Sequence, residues 1–273
     1  MTFHYDLPVL LALFAGLVAT GAVGGLLAGL LGVGGGIVIV PALFWVLTAL
    51  DFPSGIASHL AVATSLATII STSLSSMRAH SKRGTVDLDL LKLWGPAVVV
   101  GALIGGGLSK VISGDGLRLV FGSVAILVAI NMAIPKTLVV ADHLPGSKIV
   151  NRAIASAIGL VSSLMGIGGG TLSVPTLSAF SFPVHRAVGT ASAMGLLIAV
   201  PGVLGFIWSG WSVPARPPLS LGYVNLAAVA IIAPVSYMMA PFGARLAHAL
   251  NARVLKSAFA AFLLITALRM ILS

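Results

Sequence analysis

The decapeptide GVGGGIVIVP at residues 32–41 returns as GIGGGTLSVP at residues 166–175, 134 residues further along the chain. In both copies three consecutive glycines interrupt an apolar run, and glycine permits backbone conformations that a continuing helix does not use. In hydrocarbon, an interrupted backbone is tolerated only where protein or a water-filled cavity surrounds it. The paired decapeptides therefore predict two broken helices inside a larger membrane-embedded bundle.

Two further matches indicate that the whole chain is duplicated. The segment HLAVAT at residues 59–64 returns as HRAVGT at residues 185–190, at an offset of 126 residues. Further positions match at an offset of 138: Pro96, Gly105, Leu108, Leu117 and Phe121 correspond to Pro234, Gly243, Leu246, Leu255 and Phe259. These ordered matches predict two transmembrane repeats, residues 1–140 and 141–273, that together form one integral membrane domain.

The composition predicts a polytopic membrane protein of the all-α class. Hydrophobic residues make up 58% of the 273 residues, charged residues only 8%, and the mean hydropathy is +1.13. A soluble domain needs roughly a quarter of its residues charged. A helix needs about 20 apolar residues to cross a bilayer, and three of the ten apolar runs, 36–50, 153–165 and 171–182, are shorter. We expect about eight long transmembrane helices, with 36–50 and 171–182 as two short broken or re-entrant helices.

The distribution of charge predicts the orientation of the repeats. The chain has 15 Lys and Arg residues against 6 acidic residues, and its basic residues are scattered between apolar runs, which argues against a nucleic-acid surface. If all ten runs cross, eleven basic residues fall on one side and four on the other. The positive-inside rule then favours five segments per repeat, an inverted topology, and both termini on the non-cytoplasmic side. A re-entrant segment would change this parity.

Residue types that carry other chemistries are missing. The sequence has no cysteine and no glutamate, and its aspartates fall at segment edges or in loops. The intramembrane carboxylate of the usual proton or sodium relay is therefore absent, as are an ATPase signature and an acid/base pair. We expect no enzyme activity, no cofactor and no metal site. The lipid bilayer is the expected partner, and self-association into a homo-oligomer stays open.

The glycine clusters form the candidate anion site. A new helix is expected to begin after each cluster, where the first backbone N–H groups lack partners and the positive end of the helix dipole favours an anion. The residues concerned are Gly34, Gly35 and Gly36 in the first repeat and Gly168, Gly169, Gly170 and Thr171 in the second. The alternative is that small residues merely let the helices approach closely.

Polar side chains at the start of two long segments complete the candidate site. His59 and His185 occupy matching positions, and each could contact an anion or carry a proton; the alternative is an interfacial histidine that anchors a helix. Small hydroxyls follow within two turns and are candidate donors to an oxyanion: Thr64, Ser65, Thr190 and Ser192. Their alternative is a hydrogen bond to a carbonyl three or four residues earlier in the same helix.

The two copies of Gly-x-Gly-Gly-Gly followed by Val-Pro, each with a later His-x-Ala-Val-[Ala/Gly]-Thr, resemble the TauE/SafE sulfite-exporter family. The resemblance covers nearly the whole chain. It implies a protein of the bacterial cytoplasmic membrane with about eight helices that moves sulfite, sulfoacetate or another organosulfonate. A more distant relative takes up thiosulfate through cysteines, and this chain has none.

The residues and the resemblance together predict a secondary transporter or facilitator for a small sulfur-containing anion. The anion would rest between the two glycine clusters, with help from Thr64 and Thr190, and rocking of one repeat against the other would alternate access. A passive anion channel would share this site without alternating gates. A non-transporting membrane scaffold or assembly protein would use the glycines for packing alone.

Overall fold

The fold is almost entirely helical in the computed structural model, which describes residues 6–31, 34–134, 139–214, 216–246 and 252–272. The helices are α1 (Leu7–Leu31), α2 (Gly36–Ala49), α3 (Ser54–Ser81), α4 (Leu88–Leu108), α5 (Gly114–Ala133), α6 (Lys148–Met165), α7 (Gly170–Ala179), α8 (Val184–Ser209), α9 (Leu226–Leu246) and α10 (Ala252–Leu272). A two-stranded antiparallel hairpin, β1 (Ser220–Leu221) and β2 (Val224–Asn225), connects α8 to α9.

Seven helices of the described ranges are long and apolar enough to cross a membrane: α1, α3, α4, α5, α6, α8 and α9. Helix α10 is 21 residues long, whereas α2 and α7 have only 14 and 10 residues. The chain is therefore a polytopic all-α membrane protein with two short helices, α2 and α7, that directly follow the glycine clusters. The expected location of the two termini concerns Met1 and Ser273, which lie outside the described residues.

The run at 153–165 is longer than the sequence predicted. Helix α6 begins at Lys148, and its 18 residues suffice to span. The Ser147 side chain caps its first turn by accepting the N–H of Val150. Lys148 and Arg152 stand in the first two turns, so the apolar run starts only after them and is shorter than the helix.

Helices α3 and α8, which occupy matching places in the two halves, run in opposite directions. A Cβ added at Gly202 would lie 3.0 Å from Leu66 Cδ1, and one added at Gly195 would lie 2.4 Å from Ser73 Oγ. Residue numbers thus rise along α3 while they fall along the facing part of α8.

The other long helices follow these two directions. Helix α9 runs parallel to α3, because Ser71 and Ser75 donate to the carbonyl oxygens of Ala233 and Tyr237. Helix α1 runs parallel to α9, since Gly21 packs on Ile232 and Gly29 on Ala240. In the other half, α4 runs parallel to α6, with Gly101 on Ser156 and Gly105 on Leu160, and parallel to α8, with Gly95 on Leu197 and Gly106 on Gly202.

The centre of the bundle is formed by α3 and α8, which are the most buried of the spanning helices. Their neighbours pack on them through glycine, alanine and serine, as is typical of helix contacts in membranes. Among the described residues, the largest fully buried side chains are those of Trp94, Phe44, Phe121 and Phe206. The two glycine clusters lie beside this central helix pair.

Candidate functional site

Both glycine clusters break the helix, as the sequence predicts. Gly34 and Gly35 have φ values of 80° and 79°, and Gly166 has φ 69°, a left-handed conformation that glycine adopts at no steric cost. Helix α2 begins at Gly36 and α7 at Gly170. The remaining residues of the first cluster, 32 and 33, lie outside the described ranges.

The two breaks contact each other at mid-height of α3. A Cβ added at Gly34 would lie 2.9 Å from Gly168 Cα, and one added at Gly36 would lie 2.2 Å from Gly166 O. The Ile69 side chain, from the middle of α3, lies beside both Gly34 and Gly36. In this conformation the backbones of the two breaks are in van der Waals contact, so the expected position of an anion between them is closed.

Ser65 links α3 to the second break. Its hydroxyl, fully buried, donates to Gly166 O at 2.7 Å. The expected role of Ser65 as an anion donor is therefore not met in this conformation, because its proton is already engaged. The bond instead satisfies a carbonyl that the helix break leaves without an intrahelical partner.

Unpaired groups collect at the start of α7. The N–H of Ser173 makes the first bond of this helix, to Gly169 O at 2.9 Å, so the amides of Gly170 and Thr171 precede it and lack an intrahelical acceptor. The hydroxyls of Thr171 and Ser173 are buried, and within the described part of the chain neither has a hydrogen-bond partner. A buried hydroxyl without a partner is costly and requires an explanation.

The first break has no such hydroxyls. At the offset of 134 residues, Ile37 and Ile39 stand where the second repeat has Thr171 and Ser173. Both isoleucines are fully buried. The two half-helices therefore differ in chemistry, since α7 begins with polar side chains and α2 with aliphatic ones.

Thr64 and Thr190 make equivalent bonds that do not involve the glycine clusters. Thr190 Oγ1 accepts the backbone N–H of Asp87 at 2.8 Å, and Thr64 Oγ1 accepts that of Asn225 at 3.0 Å. Asp87 and Asn225 each precede a helix, α4 and α9, and their side chains accept amides of its first turn. Both threonines thus join their own helix to the start of a helix in the other repeat, and their expected role in holding an anion stays a prediction.

His59 is buried, and its polar contacts are with carbonyl groups outside the glycine clusters. Its Nε2 lies 3.0 Å from Ser109 O and 3.1 Å from Ile112 O, and its Nδ1 lies 2.8 Å from Gly55 O. The ring stacks on Tyr223 at 4.6 Å between centroids. These contacts join α3 to the α4–α5 connection and to the hairpin, which favours the interpretation of His59 as a histidine that anchors a helix; its contact with an anion stays a prediction.

The last two candidates are His185 and Ser192, both in α8. His185 is exposed in the first turn of α8. The Ser192 hydroxyl donates to Gly189 O, three residues earlier, at 2.6 Å, which is the local bond that serine often makes in a helix. Of the side chains singled out in the sequence, Thr171 is the one that combines burial, an unengaged hydroxyl and a position beside unpaired amides.

Comparisons with known proteins are consistent with this architecture. The profile of the family described as Sulfite exporter TauE/SafE matches residues 17–270. The chain belongs to this family. A probable membrane transporter protein of Haemophilus influenzae is 34% identical over 255 residues, which cover 92% of this chain and 96% of that protein.

More distant TauE/SafE relatives are also described as transporters. The probable membrane transporter protein YunE of Bacillus subtilis is 31% identical over 72% of this chain and 79% of its own length. The probable membrane transporter protein MJ0441 of Methanocaldococcus jannaschii is 28% identical over 81% of this chain and 82% of its own length. No solved structure matches the chain. The family and these relatives identify a membrane transporter.

Serine and threonine residues are frequent at positions 71–76 of α3, and several of them have a structural role in this TauE/SafE protein. The hydroxyls of Ser71 and Ser75 donate to α9 carbonyls, and that of Thr72 lies 3.0 Å from Ser236 Oγ. These contacts hold α3 against α9. Ser73, in contrast, contacts Gly195 of α8, whose neighbours include the backbone nitrogen of Gly169.

Two polar groups, Tyr223 and Arg118, were not singled out in the sequence. Both lie at the end of the bundle that the charge count predicts to be non-cytoplasmic. Burial raises the pKa of the Tyr223 phenol, and the nearby positive charge of Arg216 partly offsets that rise. Arg118 is largely buried, with 12% of its side chain exposed. The burial of this cation could not be anticipated from its position, because Arg118 stands in the first two turns of α5, close to the loop that precedes the helix.

Proposed function

We propose that this transporter moves a small sulfur-containing anion, such as sulfite, sulfoacetate or another organosulfonate, across the bacterial cytoplasmic membrane by alternating access. The observation that carries the proposal is the start of α7, where the buried, unpartnered hydroxyl of Thr171 adjoins backbone amides without intrahelical acceptors. An oxyanion supplies the acceptors that these donors lack, and the helix dipole favours its charge. The sulfur chemistry follows from the family's description as sulfite exporters.

The opposite directions of α3 and α8 support the alternating-access part of the proposal. Equivalent helices that cross in opposite senses are the arrangement of inverted-repeat transporters, which bind substrate at discontinuous helices near the midplane. In this mechanism, separation of Gly34 from Gly168 would open the space beside α7. The charge distribution of eleven basic residues against four supports both termini on the non-cytoplasmic side.

Reconstituted protein tests the transport function directly. Proteoliposomes loaded with sulfite or sulfoacetate are expected to show saturable exchange and counterflow. Flux that rises linearly with concentration and lacks counterflow would instead favour a passive channel. If folded protein moves none of a panel of sulfur oxyanions and organosulfonates, the proposed function is wrong and the scaffold alternative gains support.

The anion site is tested by Thr171→Val, which removes the hydroxyl at nearly constant volume. We expect the KM for sulfite to rise by about tenfold or more, the loss that corresponds to one hydrogen bond to a charged group. Thr176→Val in the same helix is the matched control, because its hydroxyl is already bonded to Leu172 O at 2.7 Å. Equal KM values for the two variants would remove Thr171 from the site.

A further inference from the structure

Arg118 lies in the first two turns of α5 and is enclosed by protein on most sides. Only 12% of its side chain is exposed. Its Nη2 donates to Asp115 Oδ1, and its guanidinium carbon lies 5.5 Å from the centre of the Phe44 ring. Asp115 itself is 76% exposed, so water screens its charge and it compensates the buried cation only in part.

Two nitrogens of this guanidinium are left without acceptors. Nε and Nη1 are buried, and no described residue accepts a hydrogen bond from either. Arginine remains charged in proteins, and leaving the donors of a buried cation unpaired costs more than leaving a neutral group unpaired. Packing on Phe44 accounts for one face of the group and Asp115 for one nitrogen. Neither contact explains Nε or Nη1, whose natural acceptor is an anion.

The position of Arg118 connects it to the helix break. Phe44 stands eight residues beyond Gly36 in α2, which corresponds to about 12 Å along the helix axis. The glycine break thus lies at the N-terminal end of α2, and the Arg118 guanidinium packs against the same helix about two turns further along. The charge count assigns this end of α2 to the non-cytoplasmic side.

The second repeat has a basic residue at the position equivalent to Arg118. Leu117 matches Leu255 at the offset of 138, and the next residues are Arg118 and Lys256. Each repeat therefore has a basic residue at the equivalent position of its last helix. A cation retained in both halves of a chain with so few charges is expected to serve the process that the two halves share.

We propose that Arg118 forms a second anion-binding subsite, on the non-cytoplasmic access route to the break. It takes a small oxyanion at the unpaired Nε or Nη1 donor, and it attracts the anion from solution before the anion reaches α7. This inference rests on the proposed function for the identity of its ligand.

The experiment compares purified Arg118→Gln with wild type in two assays, the shift of the thermal midpoint by sodium sulfite and the sulfite flux in proteoliposomes. Loss of the charged donor is expected to weaken the apparent affinity for sulfite about tenfold or more. Arg118→Lys keeps a point charge without the planar fork and should fall between the two. Raised salt should weaken sulfite binding by wild type more than by Arg118→Gln.

Arg269→Gln is the matched control. Arg269 also rests on an α2 ring, 5.6 Å from the centre of Trp45, but its side chain is exposed. Sulfite affinity should therefore be close to wild type in this variant. If Arg118→Gln binds sulfite as tightly as wild type, the inference is overturned, while saturable wild-type flux would leave the proposed transport function standing.

Two further outcomes are also decisive. If wild type moves no sulfite but binds it in a manner that depends on Arg118, the transport function fails and the subsite stands. If Arg118→Gln does not fold, Asp115→Asn replaces it, since this exposed side chain can change without loss of packing. Asp115→Asn removes the competing carboxylate and should tighten sulfite binding about twofold or more; unchanged or weaker binding would overturn the inference.

Discussion

Thr190→Val and Thr64→Val test whether these threonines hold the fold or hold an anion. Each exchange removes a hydroxyl oxygen that accepts the backbone N–H of a residue at the start of a helix, at 2.8 Å for Thr190 and 3.0 Å for Thr64. Both threonines are buried, so no water replaces the lost acceptor readily. Each variant is expected to be less stable by about 1–3 kcal/mol, the cost of a buried donor left unpaired.

The structure predicts similar losses for the two variants. Asp87, the partner of Thr190, caps α4 through two amides and pairs with Arg186. Asn225, the partner of Thr64, caps α9 through one amide and donates to Pro218 O and Ser220 Oγ. Each backbone is thus fixed by a side chain that makes three further bonds, so the two exchanges should be destabilising to a similar extent.

The assay is unfolding in detergent, followed by the loss of helix signal, with transport kinetics measured on the same preparations. Thr190→Ser and Thr64→Ser keep the hydroxyl and should retain most of the stability. The sulfite KM should be unchanged in all four variants. A valine variant with wild-type stability and a raised KM would refute the structural interpretation and restore that threonine to the anion site.

Three further exchanges separate structural residues from functional ones. Arg186→Gln should cost less than about 1 kcal/mol, because an ion pair with an exposed member is weak; Arg186 is 54% exposed beside Asp87, and the difference in thermal midpoint should vanish at high salt. Gly36→Ala should abolish folded expression, since its methyl would lie 2.2 Å from a carbonyl oxygen of the other break, whereas Gly107→Ala, with no atom within 4 Å of the added carbon, should express normally. Ser192→Ala should change stability by less than about 1 kcal/mol and leave the sulfite KM unaltered, because its hydroxyl only bonds its own helix; a raised KM would contradict this.

The sequence predicted the helix breaks well because glycine has a local effect. Three glycines interrupt a helix wherever they occur in an apolar run, and α2 and α7 begin at the third glycine of each cluster, Gly36 and Gly170. The duplicated motif similarly predicted that the two breaks are related. What the motif could not give is the direct contact of Gly34 with Gly168, since that depends on how the two halves dock.

The side-chain roles were harder to predict because they depend on partners far along the chain. Thr64 and Asn225 are 161 residues apart, and Thr190 and Asp87 are 103 apart. A hydroxyl early in a helix suggests either a ligand or a local carbonyl, and nothing in the sequence points to a distant amide. Arg118 was missed for the same reason: a charge count assigns it to one side of the membrane but does not indicate burial.

The difference between the two half-helices bears on how such a site would open. Thr171 begins α7, and the preceding Gly169 packs on α8, 2.9 Å from Ala191 O and Gly195 N when a Cβ is added. The polar half-helix is therefore fixed to the central helix of its own repeat. Two parts of the first repeat approach this second break. One is Ser65 of α3, which donates to Gly166 O, and the other is the glycine cluster that precedes α2.

If α3 rocked against α8, the unpaired donors of α7 would stay with the second repeat. The Ser65 hydroxyl and the first glycine break would move away with the first repeat. An anion held by a single polar half-helix can then remain bound while the opposite wall moves. A site shared equally by both half-helices would instead lose half of its donors at each opening. The replacement of Thr171 and Ser173 by isoleucines in the first repeat thus fits a mechanism in which one break holds the anion and the other closes over it.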